Sequence, residues 1–494
     1  MIDGEGARWA TTAATLDDLF RRAGVRHPDA LALADPPNRD AFAWGAPRKL
    51  SFAQADRAIS ACAARLRGLG LQTDSIVAMH LPNTAESIIT FLGVLRAGMI
   101  AAPLPLLWRK AEIVSALGRL GAKAIVTCSR IGTEEQAEIA MQSAAELFSV
   151  RHVCGFGHGL SDGLVSLDNI FSSDGAVAVS PRIGRDTSAA AITFNVDAAG
   201  FFPVSRSHFE LVAGGLETVR ATGAAADAPL LSAIPITSFA GIALAMMPWL
   251  LCGGALHLHH GFEVEAFAAQ CREVPEGTLV LPAPAVHPIA KMGLIDTKQT
   301  IVALWRAPER FKAAKTWNGP LVLIDVASFG EIGFIAARRG DNGLPAPLPL
   351  GPIGGVPPAL ETARTSAGTL ALRGRMVPGL RADQPLPVAP DGDGYVDTGF
   401  TCRPGQADRT LIITGPPSDM IDVGGYRFRL AQIDALVSRA DPGATIVALP
   451  DGDLGHRLAG TAPDRRALRA NLTSEGLNPL IVGAFAPRTT PDAA

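Results

Sequence analysis

The stretch Leu81–Thr127, LPNTAESIITFLGVLRAGMIAAPLPLLWRKAEIVSALGRLGAKAIVT, sets the fold class. Ala85 to Arg96 reads as a helix closed by Gly98, Met99 to Leu104 as a buried strand, and the residues from Ala111 as a further helix leading to the strand Ala124 to Thr127. Just upstream, Phe52, Ala55, Ile59, Cys62, Leu66 and Leu69 alternate at three- and four-residue spacing, one apolar stripe of a helix that Gly68 and Gly70 end. The apolar run Ile76 to Leu81 follows as a buried strand. Strand and helix alternating with short turns predict a parallel sheet covered on both faces.

The rhythm restarts after a Gly- and Ser-rich interval around Ser161 to Arg185. Strand Ala191 to Phe194, helix Ser207 to Arg220 and strand Leu230 to Ile234 come first. Helix Ile242 to Cys252, strand Ala255 to His259, helix Glu263 to Cys271 and strand Leu279 to Leu281 complete a second α/β unit. From Pro345 to Pro390 prolines and glycines are dense and helical periodicity vanishes, which predicts short strands in a β-rich subdomain. Beyond Thr410 the order strand, strand, helix, strand, helix predicts a small α+β cap.

Composition narrows the function classes. The chain has 494 residues, 48% of them apolar, enough for substantial cores and two to four structural units. Its net charge of −3 comes from 44 basic and 47 acidic residues without long runs of either sign, which favours neither nucleic acid nor an anionic membrane surface. The six cysteines lie far apart without a C-x-x-C pair, so they read as reduced core thiols rather than a zinc site or disulfide framework. The first residues, MIDGEGARWATTAATL, carry acids and no apolar core of a secretory signal, and the expected location is the cytoplasm. Pro229 to Leu258 is uncharged and long enough to span a bilayer, but Pro235, Gly241, Pro248, Gly253 and Gly254 divide it into strand and helix lengths, so no membrane span is expected. His257, His259 and His260 lack partner ligands at metal spacing and read as strand-end histidines.

The Leu81–Thr127 segment resembles the first subdomain of acyl-CoA synthetases, the adenylate-forming (ANL) ligases of the AMP-dependent synthetase type. Further pieces follow in that family's order: ITFNVDAAGFFPVSRSH from Ile192, IPITSFAG from Ile234, ASFGEIG from Ala327, GTLALRG from Gly368, GYVDTGF from Gly394 and ITGPPSDMIDVGGYRFRLAQID from Ile413. The resemblance implies an α/β fold: a large N-terminal domain of two flavodoxin-like α/β subdomains plus a distorted β-barrel, and a small C-terminal α+β domain. It places the AMP-binding-type domain at residues 1–415 and a truncated C-terminal domain at 416–494. It also implies ATP, Mg²⁺ and CoA as cofactors and an acyl or aryl acid as substrate.

Adenylation joins a carboxylate to a triphosphate, so such a site must neutralise repelling charges. The family's phosphate loop, T-S-G-T-T-G-x-P-K-G, corresponds here to Asn195–Pro203. Of its cradle only Gly200 remains, the hydroxyls and lysine are gone, and Asp197 adds a negative charge. Ser207 and His208 keep the closing pair, with Ser207 expected to cap the next helix. In the acyl-pocket segment Ser238 stands where the family has histidine, beside Phe239 and Gly241, and these three are the expected pocket residues. In Ala327–Glu331 the family's magnesium-holding glutamate survives as Glu331, while its adenine-stacking tyrosine and its threonine are both replaced. Thr398-Gly399 keeps two residues of the ribose-binding T-G-D, with Phe400 in place of the aspartate. The expected nucleotide contacts are therefore Gly200, Glu331, Thr398 and Gly399, and no catalytic residue or metal site is assigned.

At the hinge, Gly415-Pro416-Pro417-Ser418-Asp419 lacks the family's arginine, and the prolines restrict rotation. The essential C-terminal lysine is also missing: the seven lysines end at Lys315, and the tail from Ala486 stops after a P-R-T-like segment. Arg488 does not replace a lysine's point charge. Together these losses imply a degenerate member that binds an acyl group, a carrier or a protein partner with little or no adenylation. The alternative is an active fatty- or aryl-acid-CoA ligase using non-standard residues.

Overall fold

The computed structural model describes residues 14–172, 186–197, 200–295, 298–354, 358–379 and 390–486. Largely apolar strands of two to nine residues, bounded by turns, assemble two sheets with parallel centres. The first runs, in spatial order, Val165–Ser166, His152–Phe156, Ala124–Cys128, Ile76–Met79, Ile100–Pro103, Ala189–Asp197 and Gly200–Ser207. The second runs Gly333–Arg338, Val322–Phe329, Thr300–Trp305, Thr278–Pro282, Leu230–Ser232, Leu256–Leu258, Leu31–Ala34 and Lys49–Ser51. Antiparallel pairs close one edge of the first sheet and both edges of the second. The N-terminal strand Leu31–Ala34 joins the second sheet beside Leu256–Leu258, a long-range pairing that local periodicity does not encode.

Both sheets contribute to one continuous core that also holds the helices Phe52–Gly68, Ala85–Arg96 and His208–Thr222. Every residue of Ala85–Arg96 is buried, because the helix lies between layers rather than on a surface. Its backbone passes so close to Phe52–Gly68 that a Cβ on Gly93 would sit 2.7 Å from Cys62 Sγ, which is why glycine stands there. The helix N-terminus is held by Asp35, whose carboxylate accepts from Ala85 N–H at 2.7 Å. Arg39 in turn bridges Asp35 and Glu86.

The apolar run after Pro235 forms one helical passage from Phe239 to Cys252 with a π-helical turn at Ile242–Met246. Among the described residues no helix is long and apolar enough to cross a membrane. All six cysteines are free thiols, five of them buried. The β-rich region is a six-stranded antiparallel sheet, Leu348–Pro349, Thr410–Gly415, Val396–Pro404, Thr369–Gly374, Leu360–Arg364 and Gly351–Ile353 in spatial order. The last part adds a four-stranded sheet, Tyr426–Arg429, Met420–Val423, Gly455–Thr461 and Thr445–Asp451, and the helices Leu430–Ala440 and Arg465–Ser474. Residues from Val423 to Phe485 make their own apolar cluster. One strand more than the sequence pattern suggests is present here, since Gly455–Thr461 is largely polar and shows little alternation.

Candidate functional site

The segment aligned with the phosphate loop is not a loop. Asn195 pairs with Phe202, Val196 with Phe201 and Asp197 with Gly200, so the strands Ala189–Asp197 and Gly200–Ser207 pair antiparallel along their full described length, up to Ala198 and Ala199. Those two, and the Asp197 side chain, lie outside the described residues. With Phe194, Val196, Phe201 and Phe202, the segment carries residues that favour a pleated, half-buried strand. Gly200, at φ +109°, begins the second strand. The hairpin feeds helix His208–Thr222, which Ser207 caps: its Oγ accepts from Glu210 N–H at 3.2 Å, and Glu210 returns a bond to Ser207 N–H at 2.6 Å. His208 Nδ1 accepts from Leu16 N–H at 3.2 Å. Both residues of the family's closing pair thus hold the fold together.

Beneath the hairpin lies a cavity of about 90 Å³ whose walls include Ser238, Glu331, Arg306, Tyr426 and Arg427. Pockets that take small molecules and cofactors measure roughly 300–1,000 Å³. The space is filled by the chain's own side chains. Arg306 Nη2 donates to Ser238 Oγ at 3.2 Å, and Arg306 O accepts from Arg427 Nη2 at 2.6 Å. Its side chain approaches the turn at Gly425 so closely that a Cβ there would lie 3.1 Å from Arg306 Cδ. Burial holds the Arg306 guanidinium below the ordinary arginine value, against the opposing pull of Glu331, Asp422 and Tyr426.

Glu331 is buried, and its Oε2 accepts from the Phe239 N–H at 2.7 Å, at the start of the helix that Ser238 caps. Burial pushes its carboxyl up, while that amide, Arg206 and Arg306 pull it down. Arg206, also buried, donates to the carbonyls of Met376, Glu331 and Ile332 and stacks over the Phe239 ring at 3.5 Å. Glu331 is therefore a structural anion between two guanidiniums. Among the described residues no group of three or more His, Cys, Asp and Glu side chains is placed to hold a metal ion, and Glu331 is a single carboxylate whose Oε2 is already taken by the Phe239 N–H.

Where a ribose acceptor would be needed, Phe400 is buried, edge-on to Phe329 at 5.3 Å and beneath the Arg427 guanidinium at 4.4 Å. Thr398 and Gly399 lie outside the cavity: Thr398 Oγ1 donates to Leu370 O at 2.7 Å, and Gly399 N–H to Asp397 Oδ1 at 2.8 Å. A Cβ on Gly399 would come within 3.2 Å of Pro417 Cβ. Of the expected pocket residues, Ser238 lines the cavity. Phe239 packs on Phe334 at 5.6 Å, and Gly241 passes so near Pro235 O that a Cβ would sit 2.1 Å from it. Gly200 borders a different groove, behind the hairpin. The structure thus brings Ser238 and Glu331 together and keeps Gly200, Thr398 and Gly399 apart from them.

Arg306 and Arg427, two cations that border the cavity, bond within the chain itself. The residues that close the site, Arg306, Tyr426, Arg427 and Arg206, went unnoticed in the sequence. An arginine directly after the apolar strand Thr300–Trp305, and another inside the alternating strand Gly200–Ser207, were the available signals. The last part of the chain is fastened on both flanks. Arg310 donates to Asp453 O at 2.8 Å and Gly452 O at 2.5 Å, and Glu112 Oε1 accepts from Asn478 N–H at 3.0 Å. The tail carrying Arg488 lies outside the described residues.

Comparison with known proteins agrees with this architecture. The family model described as "AMP-binding enzyme" matches residues 20–162. A 2-hydroxy-7-methoxy-5-methyl-1-naphthoate--CoA ligase of Streptomyces carzinostaticus is 25% identical over 90% of this chain and 83% of its own length. The apo structure of MbtA from Mycobacterium smegmatis superposes with a TM-score of 0.67 at 21% identity, covering 95% of this chain and 90% of that one. An artificially fused adenylation–PCP di-domain, NpsA-ThdA from Klebsiella oxytoca, gives a TM-score of 0.70 at 17% identity over 98% and 87%. Residues 20–162 match the AMP-binding enzymes, and the architecture is that of the adenylate-forming ANL fold. The chain is acyl- or aryl-CoA-ligase-like.

Proposed function

We propose that this protein is a pseudoenzyme of the adenylate-forming fold, a binding or partner protein with little or no adenylation. One observation carries the reading: the cavity at Glu331 holds about 90 Å³ and is walled by Arg306 and its neighbours beneath the paired strands Ala189–Asp197 and Gly200–Ser207. Removing a single preorganised donor from such a site costs about 10²-fold or more in rate; here the donors of the phosphate cradle and the ribose acceptor are missing together. The cap formed by residues 416–494 is a domain of its own on this reading, fixed on residues 1–415 by Arg310 and Glu112 rather than swivelling. Free, mostly buried thiols are compatible with a cytoplasmic location, and the adenylation–PCP structure supports a carrier protein as one candidate partner.

A second reading, an active aryl- or fatty-acid-CoA ligase with rebuilt contacts, draws support from the naphthoate--CoA ligase relative. Pyrophosphate exchange with purified protein across a panel of fatty and aryl acids separates the two. Exchange at background level for every acid supports the pseudoenzyme; acid-dependent exchange supports the ligase.

A further inference from the structure

Behind the hairpin lies a second, roomier space. A groove of about 400 Å³ runs between helix Lys110–Leu120, the hairpin and helix Leu430–Ala440. Val196 and Phe201, a cross-strand pair, border both this groove and the cavity at Glu331, so the hairpin is the wall between them. The replacements that zipped the segment into a hairpin also gave the groove an apolar side. Phe428, Ile433, Leu436 and Leu477 continue that lining.

The polar part of the groove is basic. Arg427, Arg429 and Arg439 border it, and Glu112 is the one acid among the described lining residues. Both Glu112 oxygens are already engaged, with Arg109 N–H and Asn478 N–H, each at 3.0 Å. Burial pushes that carboxyl up to about 7, so it contributes less than a full negative charge near neutrality. Arg427 is turned to the Arg306 carbonyl. Arg429 is different: its Nε is buried and has no hydrogen-bond partner among the described residues. Its only carboxylate neighbour there, the exposed Asp419, is 3.7 Å from Nη2. Arg439 is exposed and shares a helix face with Leu436 and Gln432.

We propose that this groove binds a small amphipathic monocarboxylate, its apolar body against Phe201, Phe428 and Leu436 and its carboxylate against Arg429 and Arg439. The volume lies within the range of small-molecule pockets. An apolar floor with a guanidinium rim suits one anionic end on a hydrophobic body: guanidiniums pair carboxylates bidentately, and burying the body supplies the rest of the affinity. A neutral lipid would leave the buried Arg429 Nε unpaired, and a polyphosphate would place charge on the apolar floor. The site needs no nucleotide, so it stands or falls separately from the loss of adenylation.

Titration calorimetry of the full chain with decanoate, without ATP or Mg²⁺, tests this. Saturable one-to-one binding is expected, with decan-1-ol binding at least about tenfold more weakly, the loss of one charge-assisted contact. Arg429→Gln combined with Arg439→Gln should lower decanoate affinity by about tenfold or more, while Arg466→Gln, an exposed charge on another helix, should not. Two further variants at exposed positions leave folding out of the question: Arg439→Glu should weaken binding on its own, and Ala435→Trp should block the groove. No saturable binding of decanoate, equal binding of decanol, or undiminished affinity in the arginine variants would overturn the proposal.

Discussion

Arg306 donates a hydrogen bond to Ser238 Oγ at 3.2 Å, joining the end of a central strand to the residue that begins the acyl-pocket helix. Arg427 in turn is fixed on the Arg306 carbonyl, with Phe400 below its guanidinium. Each element of this arrangement leads to an expected outcome.

Glu331 is a structural anion. Glu331→Gln leaves Arg206 and Arg306 without their buried counter-charge and weakens the bond to Phe239 N–H. Weakening the acceptor of a buried N–H costs about 1–3 kcal/mol, which should appear as a fall in denaturation midpoint. Mg²⁺ should leave the wild-type melting temperature unchanged. A melting temperature raised by Mg²⁺, and insensitive to the ion in the Gln variant, would return the residue to a metal-binding role.

Two glycines separate strain from crowding. Gly200 has φ +109° and open space where a Cβ would go, so Gly200→Ala should cost about 1–3 kcal/mol from backbone strain alone. At Gly241 a Cβ would sit 2.1 Å from Pro235 O, a contact that cannot relax without moving the strand exit. Gly241→Ala should be the more damaging, read as the larger loss in urea denaturation or as insoluble protein.

His208 sets part of the acid sensitivity. Burial lowers it from 6.5 to about 4, and its neutral Nδ1 accepts from Leu16 N–H. Because the unfolded chain binds this proton more readily than the folded one, stability falls as pH drops from about 6.5 to about 4. The contribution is at most roughly 3 kcal/mol. His208→Gln should flatten that limb of the stability profile. An unchanged profile would place the acid sensitivity elsewhere, as at His80, which burial likewise lowers to about 4.

The cap is fastened by Arg310. Arg310→Ala removes both bonds to the carbonyls of Gly452 and Asp453, at about 1 kcal/mol or a little more. Hydrogen exchange over residues 420–486 should quicken while the sheet strands Ile76–Met79 and Thr300–Trp305 keep their protection. Uniform change in both regions would mean the cap opens only with global unfolding.

The helices were the most legible feature, because their signals are local. Ala85–Arg96 ends where Gly98 ends its apolar run, and Ser207 caps its helix through the capping box with Glu210. Pairing over long distances was not legible: Leu31–Ala34 joining Leu256–Leu258 depends on tertiary packing. At the candidate site, the absence of donors between Asn195 and Pro203 was readable from residue types. That the segment zips into a hairpin was not, because its alternation emerges only against a loop expectation inherited from the family. Arg306 was missed for a related reason: a single arginine after a strand reads as a solvated turn until the cap is seen resting on it.

The central claim is that the site excludes a nucleotide, and titration calorimetry of the full chain with ATP in excess Mg²⁺ tests it most directly. No saturable heat up to millimolar ATP is expected. Saturable one-to-one binding in the micromolar range, abolished by Glu331→Gln in protein that remains folded, would contradict it.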